Sequence, residues 1–60
     1  MNNKQIERWL QKFVKMANTF YVEGNMTYCE YWKGQVMGIC KMADLFHTGV
    51  DTKYYLDQMH

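Results

Sequence analysis

Residues 5–21 read QIERWLQKFVKMANTFY, and the fold prediction starts from their apolar pattern. At about 100° per residue, its apolar side chains fall within about 80° of one direction, as they do on one face of a helix. These side chains are Ile6, Trp9, Leu10, Phe13, Val14, Met16, Ala17, Phe20 and Tyr21. The pattern predicts an amphipathic first helix over residues 3–22, which Asn2 or Asn3 can cap and Gly24 can end.

A second helix is predicted over residues 28–47, after a short link. Thr27 and Glu30 have the spacing of a capping box, and Met26 and Tyr31 are placed to close over it as a hydrophobic staple. The face expected to pack on the first helix comprises Cys29, Trp32, Val36, Ile39, Ala43 and Phe46. Two long helices joined by so few residues are expected to lie antiparallel as a hairpin.

A short third helix is predicted over residues 52–58. Gly49 occupies the position expected to stop the second helix. Asp51 can cap the third helix while Val50 packs on Tyr55. A helix this short does not persist alone in water, so we expect it to dock on the hairpin.

The composition is that of one small folded domain covering residues 1–60. The chain is 48% hydrophobic and 17% aromatic and has no proline, which argues against a disordered tail and against a linker between two domains. The predicted fold class is therefore all-α: an antiparallel helical hairpin plus a short third helix. We expect a homodimeric helical bundle, because a second copy enlarges the core that one short chain can build.

The sequence does not indicate membrane insertion or export. Its apolar runs are far shorter than the roughly 20 residues that span a bilayer. Residues 1–12 are polar and charged where a secretory signal carries an apolar core. We therefore expect a cytoplasmic protein with no membrane association.

The far side of the second helix carries a second, mildly apolar surface. Gly34 and Gly38 cost about 1 kcal/mol each relative to alanine in a helix interior, so they indicate close approach by another helix. Either the chain's own third helix or a second chain fits this requirement, and in both cases we expect that side to be covered. The candidate partner-binding residues are Tyr31, Gly34, Gly38, Met42, Leu45, Tyr54 and Tyr55.

The far side of the first helix carries a basic stripe, defined as Lys4, Arg8, Lys12 and Lys15. Such a stripe can bind phosphates, but a helix in water also needs a solvated face. The net charge of +1 and the pI of about 7.8 are low for a dedicated nucleic-acid module. Nucleic-acid binding through this stripe is therefore the alternative function.

No catalytic, cofactor or metal site is predicted. Cys29 and Cys40 are eleven residues apart on one helix, hence about 16 Å, too far to share a disulfide or a metal. His47 is expected in the last turn of the second helix, where its charge complements the helix dipole. About 10 Å of helix separates it from Cys40, which argues against a thiol enzyme.

Small size, an aromatic surplus and the lack of a reaction centre favour an interaction protein. We expect it to bind a macromolecular partner, in the first place a protein, and to modulate that partner. Regulators, adaptors and phage-type inhibitors of this size provide an analogy of size and composition rather than a motif.

Overall fold

The computed structural model describes residues 2–60, which form α1 (Asn3–Val22), α2 (Met26–Leu45) and α3 (Thr52–Leu56). α1 and α2 pack against each other, and α3 contacts both of them. The side-chain amide of Asn3 donates to the carbonyl of Thr48 at 2.6 Å, so the start of α1 lies beside the end of α2 and the two helices run antiparallel. The predicted all-α architecture of two long helices and a short third one is confirmed. Within residues 2–60, no helix combines the length and the apolar character that crossing a membrane requires.

α1 has the bounds that its apolar period predicts. The side chain of Asn2 accepts a hydrogen bond from the N–H of Gln5 at 2.8 Å, which satisfies one free donor of the first turn. At the other end, Gly24 has a φ of +80°, a left-handed conformation that costs glycine little. The N–H of Asn25 then donates to the carbonyl of Phe20 at 2.9 Å, as in a Schellman motif.

α2 begins two residues earlier than the predicted range of 28–47, so the expected capping box is wrong. The N-cap is Asn25 rather than Thr27, and its side chain accepts from the N–H of Tyr28 at 3.3 Å. Asn25 directly follows the left-handed Gly24, and asparagine is a stronger N-cap than threonine. The helix therefore starts at the first position that the turn allows.

α2 also ends two residues earlier than predicted, because His47 takes a left-handed conformation with a φ of +52°. Its N–H donates to the carbonyl of Asp44, and the N–H of Thr48 donates to that of Ala43, both at 3.1 Å. These bonds form a second Schellman motif. The chain has thus left the helix before Gly49, which lies in the loop and does not stop α2. His47 is exposed beyond α2 and not in its last turn.

The core lies between α1 and α2, with α3 packed against it. Its side chains mostly recur every three or four residues along both long helices, as expected of packed helix faces. They are Ile6, Leu10, Val14, Ala17, Cys29, Val36, Cys40, Ala43, Val50 and Tyr55. Trp32 and Ile39 are half-buried, whereas Phe46 is 72% exposed. Its predicted place in the core is wrong: Phe46 is the C-cap residue of α2, and it lies about 80° round the helix from the buried Val36, at the margin of the face that packs on α1.

α3 ends at Leu56, two residues before the predicted end at residue 58. Its N-cap is Asp51, as predicted, with the side chain accepting from the N–H of Tyr54 at 3.2 Å. The hydroxyl of Thr52 donates to the carboxylate of Asp44 on α2 at 3.0 Å. This hydrogen bond ties the start of α3 to the last turn of α2.

Packing and one asparagine hold the rest of the C-terminal segment on the hairpin. Val50 and Tyr55 join the buried cluster formed by the long helices. Asn18 of α1 donates to the carbonyl of Gln58 at 2.9 Å and accepts from the N–H of His60 at 3.1 Å. A five-residue helix is thus fixed by contacts with α1 and α2, as its length requires.

Candidate functional site

The surface of interest is the side of α2 that faces away from the core. Cys29, Val36 and Ala43 are buried at intervals of seven residues, so one line along α2 faces α1 throughout. About half a turn away lies the outer face of α2, defined here as Tyr31, Gly34, Gly38, Met42 and Leu45.

The space next to the two glycines of the outer face is empty. A Cβ atom added to Gly34 or Gly38 would meet nothing within 4 Å. Of the two predicted ways of covering this side, the one in which α3 lies over the glycines is therefore wrong. α3 packs instead at a flank of α2, where the backbone carbonyl of Thr52 lies 3.9 Å from the Cys40 sulfur.

Large apolar side chains surround the glycines. Tyr31 is 56% and Leu45 71% exposed, and Met42 is half-buried. Met37 is also 59% exposed, and it borders a shallow groove of about 420 Å³ between α2 and Leu56. Met37 and Leu56 were not among the predicted surface residues, because the helical period places Met37 at the margin and cannot position α3.

The two tyrosines of α3 have different environments. Tyr54 is exposed, as a partner-binding residue must be, whereas Tyr55 is 5% exposed. Tyr55 packs with Val50 in the core cluster, which corrects its predicted place on the partner-binding surface. A helix as short as α3 needs one large anchor to stay docked, and Tyr55 provides it.

An aromatic groove adjoins the outer face near the turn of the hairpin. Its volume is about 270 Å³, and its walls are Met16, Phe20, Tyr28, Tyr31 and Trp32. The rings of Phe20 and Tyr28 lie 5.2 Å apart, and those of Tyr31 and Trp32 lie 5.1 Å apart nearly edge to face. Sequence reasoning placed several of these residues in the core. Instead they cover an edge of the hairpin and leave a concave apolar surface.

The basic stripe of α1 faces solvent along its whole length. Lys4, Arg8, Lys12 and Lys15 are all exposed. Among residues 2–60, one ion pair is closer than 4.0 Å, and it joins Lys33 to Glu30 at 3.9 Å. The four cations of the stripe therefore have no carboxylate partner among these residues.

The two cysteine side chains have the surroundings of structural residues. Cys29 and Cys40 are both buried and unpaired. Burial raises the pKa of the Cys40 thiol, and the negative charge of Asp44 adds to the increase, so Cys40 is disfavoured as a thiolate nucleophile. Over the described part of the chain, no group of three or more His, Cys, Asp or Glu side chains is arranged to hold a metal ion.

In comparisons with known proteins, no family model, no curated protein and no solved structure matches the chain.

Proposed function

We propose that this chain is a non-catalytic interaction protein that binds another protein through the outer face of α2. The observation that carries the proposal is the open glycine pair, Gly34 and Gly38, on the side of α2 opposite its buried face. The partner expected on such a surface is a helix that packs close to the α2 backbone.

No contact among the described residues requires glycine at position 34 or 38. Each costs about 1 kcal/mol relative to alanine in a helix interior. The space above both is empty, so alanine would fit and no internal contact requires its absence. Close approach by a partner's backbone is a use that does require it.

The neighbouring side chains suit protein contact. Tyrosine offers a large rigid contact area at low entropic cost, and methionine adapts its shape to a partner. Tyr31 belongs both to the outer face and to the aromatic groove, so the two surfaces are continuous. A partner side chain that fills the groove would bury aromatic area, the usual source of binding free energy at an interface.

The activity of such a chain would come from covering a partner's surface. A regulator, an adaptor and a phage-type inhibitor all act in this way, and none of them needs a reaction centre. The proposal is therefore for modulation by binding rather than for chemistry.

The proposal is tested by cross-linked capture from native extract with two matched variants. The first combines Tyr31→Lys with Leu45→Lys on the outer face. The control combines Gln5→Lys with Gln11→Lys, which adds the same charge at exposed positions of α1. Both should keep a helical circular dichroism spectrum, since neither alters a buried residue.

We expect proteins captured by the unaltered chain to be lost with the outer-face variant and retained with the control. An identical captured set for both variants would refute the proposed surface. Capture that depends only on nucleic acid in the extract, and disappears with nuclease, would also contradict protein binding.

A second candidate function is nucleic-acid binding through the basic stripe. Four exposed cations, none of them in an ion pair within 4.0 Å among residues 2–60, follow one side of α1, over about 16 Å of helix. Binding to heterologous DNA or RNA should then fall steeply between about 50 and about 200 mM salt. It should disappear when Arg8→Glu and Lys12→Glu are combined. No detectable binding at low salt eliminates this candidate.

A further inference from the structure

We infer that the partner on the outer face of α2 is a second copy of this chain, with the two α2 helices antiparallel and crossing at the level of Val36. The inference rests on the proposed function and names the partner of the same surface. The pair then has two-fold symmetry, so both copies contribute the same residues to the interface.

The spacing along α2 fits this arrangement. Residues 27, 31, 34, 38, 41 and 45 are separated by four, three, four, three and four positions, the spacing of a helix-packing seam. The seam lies on the side opposite Val36, which is buried against α1. It consists of Thr27, Tyr31, Gly34, Gly38, Lys41 and Leu45, all exposed.

The seam is complementary to itself when the second copy runs in the opposite direction. Positions equally far from Val36 then meet across the axis, so that Gly34 faces Gly38 of the second copy. The small residues lie at the crossing, where the backbones approach most closely. Tyr31 meets Lys41 of the second copy, and an ammonium group over a tyrosine ring is an attractive contact.

Charge favours the antiparallel orientation over the parallel one. Glu30 lies six residues before Val36 and Lys41 five residues after it. In the antiparallel pair, Glu30 and Lys41 of the second copy are offset by about 1.5 Å along the axis. In a parallel pair they are about 16 Å apart, and the two Lys41 side chains face each other. The favourable contact occurs twice, once on each side of the two-fold axis.

The size of the surface sets the expected strength. α2 is about 30 Å long, so one helix crossing gives an interface at the small end of the stable range. Met37 and Leu56 extend it on one flank. We expect a dissociation constant on the order of 10 µM, because small interfaces leave little free energy after the entropic cost of association.

Sedimentation equilibrium with charge-reversal variants tests the inference. The unaltered chain should be mostly dimeric at about 200 µM. Lys41→Glu and Glu30→Lys should each raise the dissociation constant about tenfold or more, because each replaces two attractions with two repulsions. The combined variant should restore dimerisation, and a helical circular dichroism spectrum for each single variant would show that the fold is intact. Lys53→Glu on α3 is the control for a reversed lysine away from the seam.

Cross-linking with a short bismaleimide tests the orientation. In the antiparallel pair, the two residues at position 37 are offset by about 3 Å along the axis, and those at position 45 by about 27 Å. Met37→Cys should therefore link to its own copy and Leu45→Cys should not. Cys29 and Cys40 are buried and should contribute little background.

A monomer throughout the concentration range would overturn the inference, and so would charge variants that all behave alike. Linking through Leu45→Cys but not Met37→Cys would replace the antiparallel pair with a parallel one. If the chain is monomeric while the outer-face variant still loses captured proteins, the second copy is refuted and the proposed function stands. If that variant changes neither assembly nor capture, both are refuted.

Discussion

α1 and α2 have the same length, twenty residues each, yet they differ in how they use their outer sides. α1 buries one side and presents the basic stripe to solvent, which is the arrangement of a helix complete within its own chain. α2 buries an equally regular side but carries tyrosine, leucine and two glycines on the other. The difference shows that α1 is accounted for by the monomer, whereas the outer side of α2 is not.

Shortening a core side chain should lower the free energy of unfolding far more than shortening a side chain on the outer face of α2. Leu10→Ala in the core should lower the free energy of unfolding by about 3 kcal/mol, or unfold this small chain outright. Leu45→Ala should change it by less than about 0.5 kcal/mol at concentrations where the chain is monomeric. Urea denaturation followed by circular dichroism measures both. Comparable losses would mean that Leu45 is part of the core.

Replacing the two glycines on the outer face of α2 should stabilise the fold rather than destabilise it. Gly34→Ala combined with Gly38→Ala should raise the unfolding free energy of the dilute chain by about 1–2 kcal/mol, since alanine favours the helix. The space above both positions is open, so no clash offsets the gain. The same variant should bind its partner more weakly. Gly24→Ala is the matched control and should be destabilising, because Gly24 has a φ of +80°. Loss of stability in the double variant would show that a neighbour already covers the glycines.

The C-terminal ends of the two helices offer a smaller comparison. Both end in a Schellman motif, but the left-handed position holds Gly24 after α1 and His47 after α2. His47→Gly should therefore stabilise the fold by about 1 kcal/mol, by removing the Cβ strain. His47→Ala keeps the Cβ atom and should give no such gain. Equal thermal midpoints for the glycine and alanine variants would contradict the assigned conformation.

The smallest effect concerns pH and the buried side of α2. Burial, assisted by Asp44, raises the pKa of Cys40 above its ordinary value of 9.0. Above pH 9.0 the unfolded chain begins to lose the Cys40 proton while the folded chain keeps it. The free energy of unfolding is therefore unaffected by this thiol below pH 9.0 and declines as the pH rises from there to the pKa of the folded chain. Cys40→Ala should show a shallower decline of the unfolding free energy in alkaline solution. Parallel declines would assign the pH dependence to other groups.

The sequence predicts the three helices better than it predicts how they pack and which side chains they bury. The bounds of α1 follow from its apolar period and from Asn2 and Gly24, because these signals are local. The same reasoning misplaced the start of α2 at a capping box, since a short motif at Thr27 competes with a stronger cap two residues earlier. It missed the end of α2 because a histidine, rather than a glycine, takes the left-handed position.

The sequence could not predict where α3 packs on the hairpin. A five-residue helix has too few positions for a period to show which side of the hairpin it covers. Tyr55 was therefore assigned both to packing and to the partner surface, and only its burial shows which is right. The side of α2 that α3 leaves open, and the aromatic groove beside it, emerge only once the three helices are assembled.

A dilution series of amide ¹H–¹⁵N NMR spectra tests most directly whether the outer face of α2 binds a second copy. The signals of Tyr31, Gly34, Gly38 and Leu45 should move with rising protein concentration, while those of the basic stripe of α1 stay in place. Spectra that do not change with concentration, or changes confined to α1, would mean that the outer face of α2 does not bind a second copy.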